Sequence, residues 1–318
     1  MSRSALVTGG AGFIGSHVVD ALLADGWGVV VVDDLSSGDA SRVAAEAKLE
    51  VTDITDGAAL DRVIDLARPE AIFHLAAQSS VTVSVKDPAR DCAVNVAGTL
   101  NVLEAAVRHR APVAFTSTGG ALYGNEAPLP TPEDRIPAPL APYGASKLAG
   151  EAYIGTWSRA NDLAHAVCRL GNVYGPRQSP HGEAGVVAIL SLKLWRGEQP
   201  TLFGRGSPTR DYVHVDDVVA ALIMACGHAG TFNISTGVET DVASLYAELQ
   251  KAAGTSIEPL MAPLRTGELE RSCMDPSRAR EAFGWEARTA LADGLSSTYA
   301  ALVAEFEAAG AGTTSTAG

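Results

Sequence analysis

Residues 4–15 read Ser4-Ala5-Leu6-Val7-Thr8-Gly9-Gly10-Ala11-Gly12-Phe13-Ile14-Gly15, and the change of texture at Gly9 decides the fold. Ser4–Thr8 has the apolar content of a strand. Ile14–Asp25 places Ile14, Val18, Ala21 and Leu22 on one face of a helix. Between them Gly9, Gly12 and Gly15 stand at the spacing G-x-x-G-x-x-G. Glycine is needed where a strand turns sharply, where backbone must touch a pyrophosphate, and where a helix packs close to a sheet. The helix behind it turns free N–H groups and a positive dipole end toward phosphate. Alone the motif is also compatible with a mere glycine-rich turn. Its place between strand and helix makes it a dinucleotide signal, as does Asp33, which ends the next strand 18 residues beyond Gly15. A carboxylate there accepts hydrogen bonds from a ribose and repels a 2′-phosphate, so NAD is expected rather than NADP, with Asp34 reinforcing the choice. The alternative, Asp33 as a solvated loop carboxylate, stays open.

The same alternation continues outward. Gly28–Asp33 is a nearly unbroken valine run, the mark of a parallel strand buried on both faces. Ala58–Ala67 reads as a helix, Ala71–Ala76 as a strand, Asn95–Arg108 as a helix and Val113–Thr118 as a strand. Tyr143–Ala160 is then a helix and Ala164–Leu170 a strand. The fold class expected is α/β: a Rossmann-type doubly wound parallel sheet over residues 1–170, with right-handed crossovers. After Asn172 the rhythm breaks. A Gly/Pro/His loop (Gly175–Gly185) leads to helices at Val186–Trp195, Thr240–Ala253 and Leu291–Glu307, with an acidic cluster at Val215–Val219. Residues 171–307 are therefore expected to form mainly a smaller C-terminal α/β substrate-binding domain, with about 211–235 returning to the first domain. The small polar tail 308–318 is expected to be disordered.

Composition excludes several classes. The 318 residues are 47% hydrophobic and 19% charged, which argues against disorder and coiled coil. A net charge of −13, with no basic run, is the wrong sign for a nucleic-acid or anionic-membrane partner. No stretch approaches 18 apolar residues, and a strand starting at Ser4 leaves no room for a signal peptide. Cys92, Cys168, Cys226 and Cys273 are scattered and form no C-x-x-C pair. They read as reduced, mostly buried thiols of a cytoplasmic protein, and no metal site is expected.

Tyr143-Gly144-Ala145-Ser146-Lys147 opens a helix directly behind a strand and a proline-rich loop, so Tyr143 and Lys147 share a face. A phenol titrates near 10 and is a poor base at neutral pH. A lysine cation and a positive nicotinamide ring nearby would favour phenolate, a base able to take a hydroxyl proton while hydride leaves the same carbon. An exposed i,i+4 pair would read the same way.

Several further segments stand with these: Phe73-His74-Leu75-Ala76-Ala77, Asn95, Thr116-Ser117-Thr118, and Arg169-Leu170-Gly171-Asn172-Val173-Tyr174-Gly175-Pro176. Ser117–Gly124, Arg210–Val215 and Arg265–Leu269 add to them. Over about residues 3–300 the chain resembles the extended short-chain dehydrogenase/reductase family. The resemblance implies NAD-dependent inversion at C4 of a UDP-sugar, interconverting UDP-glucose and UDP-galactose through a transient 4-keto intermediate. It also implies roles. Gly9, Gly12, Phe13, Ile14 and Gly15 would meet the NAD pyrophosphate. Asp33, Asp34, Ser36, Ser37 and Gly38 would hold the adenosine ribose and its phosphate, and Asp53 and Ile54 would flank adenine. Leu75, Ala76, Ala77, Gln78 and Asn95 would line the path to nicotinamide. Tyr143 and Lys147 would act beside it. Thr118, with Ser117 as the fallback in register, would hold the reacting sugar oxygen next to Tyr143. Asn172 would hold substrate near its diphosphate and Gly185, Val186 and Val187 would cover it. Thr201 and Phe203 would hold uracil, Arg210 and Arg265 the diphosphate, and Glu268 the uridine ribose. Two arginines suit a pyrophosphate, which a guanidinium binds through paired hydrogen bonds.

Blander readings stand beside these. Arg210 next to Asp211, and Arg265 near Glu268, would also make surface ion pairs, and Phe203 would serve as core. His74 and His214 read as structural. His181, on its loop, is a weak candidate for contact with substrate. Nucleotide-sugar 4,6-dehydratases of the superfamily carry an Asp-Glu pair just after the threonine, where this chain has Gly119-Gly120. Ser272, where some relatives carry tyrosine, would leave room beside the sugar 2-substituent, so N-acetylated substrates are expected to be tolerated. UDP-N-acetylglucosamine or UDP-glucuronate as the main substrate, and a non-catalytic NAD-binding scaffold, are the remaining alternatives. Relatives pair through two helices per subunit, here Asn95–Arg108 and Tyr143–Ala160, so a homodimer is expected.

Overall fold

The structure is a computed structural model that describes residues 3–181, 185–264 and 269–313. Its first half alternates strands β1 (Ser4–Thr8), β2 (Gly28–Asp33), β3 (Lys48–Val51), β4 (Ala71–His74), β5 (Val113–Thr118) and β6 (Ala166–Leu170) with helices. These are α1 (Phe13–Ala24), α2 (Gly57–Ala67), α3 (Val81–Lys86), α4 (Pro88–Cys92), α5 (Thr99–His109) and α6 (Pro142–Asn161). The second half carries β7 (Asn172–Tyr174), α7 (Val186–Trp195), β8 (Thr201–Leu202), β9 (Thr209–Arg210), β10 (Tyr212–His214), α8 (Val215–Ala225) and β11 (Gly230–Ile234). It ends with β12 (Thr240–Asp241), α9 (Val242–Ala253), β13 (Leu260–Met261), α10 (Ser277–Phe283) and α11 (Leu291–Thr313).

Seven strands form one parallel sheet in the order β11-β6-β5-β4-β1-β2-β3. The doubly wound Rossmann-type arrangement read from the sequence is therefore present. The order reverses between β1 and β4, and the crevice at the carboxyl ends of those strands is where an open α/β sheet takes its ligand. One layer of core, with Val18, Val19 and Leu22 of α1 and Val218 and Leu222 of α8, covers one face of the sheet. Leu60 and Ile64 of α2, Val102 and Leu103 of α5 and Ile154 of α6 cover the other. A third cluster joins Leu190 and Leu194 of α7, Leu245 and Leu249 of α9, and Leu295 of α11 around Tyr174 and Tyr212. β11 lies at the sheet edge beside β6, and α8 packs on α1, so part of the second half is built into the first.

Two elements differ from expectation. The helix read as Asn95–Arg108 begins with a π turn over Ala93–Gly98 before α5. The tail read as disordered from Ala308 continues as helix to Thr313, since alanine, which is abundant there, favours helix.

Candidate active site

The glycine turn is held from two sides. Gly9 has φ +73°, and a Cβ there would stand 2.6 Å from the Ala76 nitrogen; a Cβ on Gly15 would stand 2.0 Å from the Gly9 carbonyl oxygen. Any side chain would force the turn off β4 or α1 off the turn. Asp33 then fastens the turn to β2: its Oδ2 accepts from the Ala11 N–H at 3.0 Å and its Oδ1 from the Leu35 N–H at 2.9 Å. Each carboxylate oxygen keeps a lone pair for a ribose hydroxyl. Gly38 lies against this carboxylate, where a Cβ would come within 2.7 Å of Oδ1. Asp34 receives the Ser36 N–H and hydroxyl, and Asp53 the Thr55 N–H, so both shape short turns; Ser37 lies in the same loop as Ser36. Ile54 is core, touching Gly98. Gly12 has no side chain to cap α1, which leaves the first amides of the helix, those of Phe13 and Ile14, without a side-chain partner at the cap. A closed glycine turn, an uncapped helix start and a carboxylate at the end of β2 fit NAD.

Beyond β4 an amide bracket lines the same edge, after Leu75 and Ala77. Asn95, 1% exposed, accepts the Gln78 N–H at 2.9 Å and donates to the Gln78 carbonyl at 2.9 Å, to Asp91 Oδ1 at 3.1 Å and to the Ser146 hydroxyl at 3.0 Å. The π turn carries Asn95, and such turns recur at functional sites. His74 is structural as expected. It bridges the hydroxyls of Thr8 and Thr99 at 2.7 and 3.0 Å, and burial, with Lys147 nearby, pushes it down to about 3, so it is neutral.

Three consecutive residues of β5 face three side chains of α6 spaced four apart. The Lys147 ammonium donates to the Thr116 carbonyl at 2.9 Å and sits 4.7 Å from the centre of the Phe115 ring. Ser117 donates to Glu151 Oε1 at 2.5 Å. The Thr118 hydroxyl stands close enough to the Tyr143 phenol to pull its proton affinity down. Thr118, not Ser117, is thus the residue beside the phenol. Burial lowers Lys147 to about 8 against the opposing charges of Asp91 and Glu151. The phenol departs from expectation. Burial first, and the Asp91 carboxylate second, push Tyr143 up to about 12, with only the Thr118 hydroxyl pulling down. The reason is that the ammonium spends its reach on Thr116, so the residue that was to favour phenolate points to the strand.

Behind this trio Glu151 and Arg169 form a buried pair, 2.7 Å between Oε2 and Nη2, and Arg169 also donates to the Tyr123 hydroxyl at 2.6 Å. Sequence reasoning passed over Asp91, Ser146 and Glu151. The i,i+4 steps Asp91–Asn95 and Lys147–Glu151 were the available signal.

A cavity of about 330 Å³ opens past Thr118, between Gly119-Gly120, the loop residues Gly124, Asn125 and Ala127 to Leu129, and Arg271, Ser272 and Cys273. Its described lining holds no carboxylate. A Cβ at Gly119 would stand 1.9 Å from the Met274 sulfur, so any side chain there would have to displace the end of Met274. Asn172 on β7 approaches Gly120. Gly185 caps α7 and packs on Gln178, Val186 is half-buried and Val187 is core. Thr201 on β8, Phe203 beyond it and Arg210 on β9 are half-buried in the second half; Arg210 donates to the Thr209 carbonyl at 2.8 Å and lies near Tyr212. Arg265 and Glu268 lie outside the described residues. His181 is exposed on its loop.

The pattern of the NAD dependent epimerase/dehydratase family matches residues 5–235. A UDP-glucose 4-epimerase of Mycolicibacterium smegmatis is 50% identical over 302 residues, 92% of this chain and 96% of that protein. The crystal structure of UDP-glucose 4-epimerase from Thermotoga maritima with UDP-glucose superposes with a TM-score of 0.92 at 45% identity, covering 95% of this chain and 99% of that one. The Thermus thermophilus UDP-glucose 4-epimerase in complex with NAD superposes with a TM-score of 0.87 at 40% identity, covering 94% and 98%.

Proposed function

The chain belongs to the NAD dependent epimerase/dehydratase family, and on that footing we propose that it is an NAD-dependent isomerase interconverting UDP-glucose and UDP-galactose at C4. The observation that carries the reading is the placing of the Thr118 hydroxyl beside the Tyr143 phenol, near a dinucleotide cradle and a cavity whose described lining holds no carboxylate. NAD, when bound, supplies a reversible hydride acceptor for the sugar C4 and a positive charge in the cleft. Gly9, Gly12, Phe13, Ile14 and Gly15 would hold its pyrophosphate and Asp33 its ribose, with Asn95 and Gln78 lining the path to the reacting ring.

Tyr143 takes the proton of the 4-hydroxyl and returns it to the inverted alcohol, while Thr118 holds the same oxygen. Burial keeps the phenol protonated at rest, so positive charge close by would have to drive its proton out to water before the phenolate takes the sugar's. Lys147 braces the strand that carries Thr118. Between the two half-reactions the 4-keto sugar turns about its diphosphate link, which requires firm hold on the nucleotide and loose hold on the sugar. Asn172, Gly185, Val186, Val187, Thr201, Phe203, Arg210, Arg265 and Glu268 would supply the first, and the cavity beside Ser272 the second. Residues 1–170 would then carry NAD, and 171–307 mainly the UDP-sugar.

The small Ser272 side chain in the cavity wall supports a second substrate, UDP-N-acetylglucosamine. The lack of an acidic pair in the described lining disfavours 4,6-dehydration. No helix among the described residues is long and apolar enough to cross a membrane, and the net charge is −13; we read the protein as a cytoplasmic homodimer without nucleic-acid partners. The test is formation of UDP-glucose from UDP-galactose with no added NAD, repeated with added NAD, UDP-N-acetylglucosamine and UDP-glucuronate. Turnover of UDP-galactose is expected, with measurable turnover of the N-acetylated sugar. Turnover of only another sugar moves the substrate, and silence on all overturns the reading.

A further inference from the structure

Asp91 takes no part in the reaction as proposed so far, yet it is 1% exposed and lies at the heart of the site. Its Oδ1 accepts from Gln78 Nε2 at 2.7 Å and from Asn95 Nδ2 at 3.1 Å. Asn95 donates onward to the Ser146 hydroxyl at 3.0 Å, and Ser146 donates to the Tyr143 carbonyl at 3.0 Å. A chain of hydrogen bonds therefore runs from Asp91 into the first turn of α6.

We propose that Asp91 is a positioning residue of the reaction: it holds Gln78 and Asn95 against the Tyr143 turn and sets a fixed negative charge behind the Tyr143–Lys147 pair. The inference rests on the epimerase reading for the reaction it serves. A single oxygen accepts both hydrogen bonds, a task an asparagine would perform without the cost of burying a charge. What the carboxylate adds is its charge, and both donors are neutral amides that do not cancel it. The groups that feel it are the two active side chains. Asp91 favours the Lys147 ammonium against burial and favours the protonated phenol of Tyr143.

The other groups facing this pair are few. Glu151, on the same helix, also favours the ammonium but is tied to Arg169 of β6. His74 on β4 is neutral, β5 offers the Phe115 ring and the Thr118 hydroxyl, and Lys86 on α3, Arg90 on α4 and Glu104 on α5 are exposed. Asp91 thus adds to burial in keeping the tyrosine protonated, and with Glu151 opposes burial in keeping the lysine positive, until substrate and positive charge arrive together.

The test titrates Lys147 in holoenzyme labelled with 15N at lysine Nζ, the resonance being assigned by Lys147→Ala, alongside the pH profile of kcat on UDP-galactose. Asp91→Asn keeps both hydrogen bonds and removes the charge. It is expected to lower the Lys147 midpoint by about one pH unit from about 8 and to move the kcat profile to lower pH by a similar step. Asp91→Glu, which keeps the charge, is expected to restore the midpoint. An unmoved midpoint overturns the proposal, as does a moved midpoint with an unmoved profile. An Asp91→Asn chain that fails to fold assigns the carboxylate to the fold and overturns it too. If the wild-type chain turns over no UDP-sugar, the epimerase reading fails, and the Lys147 midpoint alone decides on Asp91.

Discussion

At the scale of the residue, Tyr143 shows what spacing reveals and what it hides. A step of four residues from Tyr143 to Lys147 puts both on one face of α6, and that much is legible from sequence alone. Where a four-carbon stem carries its ammonium is not, and here it bends to the Thr116 carbonyl. The phenol is pushed up to about 12 by burial and then by the Asp91 charge, against the Thr118 hydroxyl. Tyr143→Phe, which deletes only the oxygen, is expected to lower kcat by about 10²–10⁴-fold while NAD, measured by absorbance after acid release, stays bound. The glycines and Asp33 were readable because their reasons lie in the local backbone. Asp91 and Ser146 were not, since their partners stand in distant segments of chain. His74 makes a prediction of opposite character. Buried and neutral, it is held down to about 3, whereas in the unfolded chain it titrates near 6.5. Between those values the unfolded chain binds more protons, so the stability it contributes is complete above about 6.5 and is lost as pH falls toward about 3. Melting temperatures from pH 7 to 4 should fall less steeply for His74→Gln than for the wild type. A remaining slope is expected from His165, which burial lowers to about 4.

At the scale of the element, the β5–α6 contact carries the chemistry. Thr116, Ser117 and Thr118 meet Lys147, Glu151 and Tyr143, so the strand is registered against the helix by three polar contacts at helical spacing. Glu151 extends the Tyr143–Lys147 series by one more turn, and it was legible in principle as the next i+4 position. Its partner Arg169 arrives from β6, which only the sheet order brings near. The pair is buried, with 6% of each side chain exposed. Removing one member leaves the other charged and unpaired, a loss of about 3–5 kcal/mol. Arg169→Met is therefore expected to lose that much stability in urea unfolding. Arg108→Met, at an exposed guanidinium 2.7 Å from the half-exposed Asp61 carboxylate, should lose about 0–1 kcal/mol. The π turn over Ala93–Gly98 was read as ordinary helix because its apolar pattern continues that of α5. One extra residue in the turn leaves no trace in a hydrophobic period.

At the scale of the whole molecule, most of the sheet was legible because β1, β2, β5 and β6 are five or six residues of mostly buried, apolar chain, whereas the partly exposed β3, with two charges in four residues, carries no such mark and was not read. The second half was not, because β7 to β10 and β12 to β13 have only two or three residues each, too short to show a period. What the fold leaves on the outside bears on assembly. Between α5 and α6 a groove of about 310 Å³ runs past Glu104, Val107, Trp157 and Ala160. Tyr153, 37% exposed, stacks edge-on upon Trp157, 5.8 Å between ring centres, at the side of that groove. These two helices are the pair through which the family resemblance implies dimerisation, and aromatic side chains of this kind anchor such interfaces. A chain carrying a net charge of −13 repels its own copy, so association on this face has to come from apolar contact. A second copy would cover the groove and both rings. Sedimentation equilibrium at micromolar concentration is expected to give twice 32.8 kDa for the wild type. Tyr153→Glu, which sets a charge at the centre of the face without touching the core of either layer, is expected to sediment as a monomer. If that variant remains dimeric at the same concentration, the two copies meet elsewhere and the α5–α6 face is solvent-facing in the assembly.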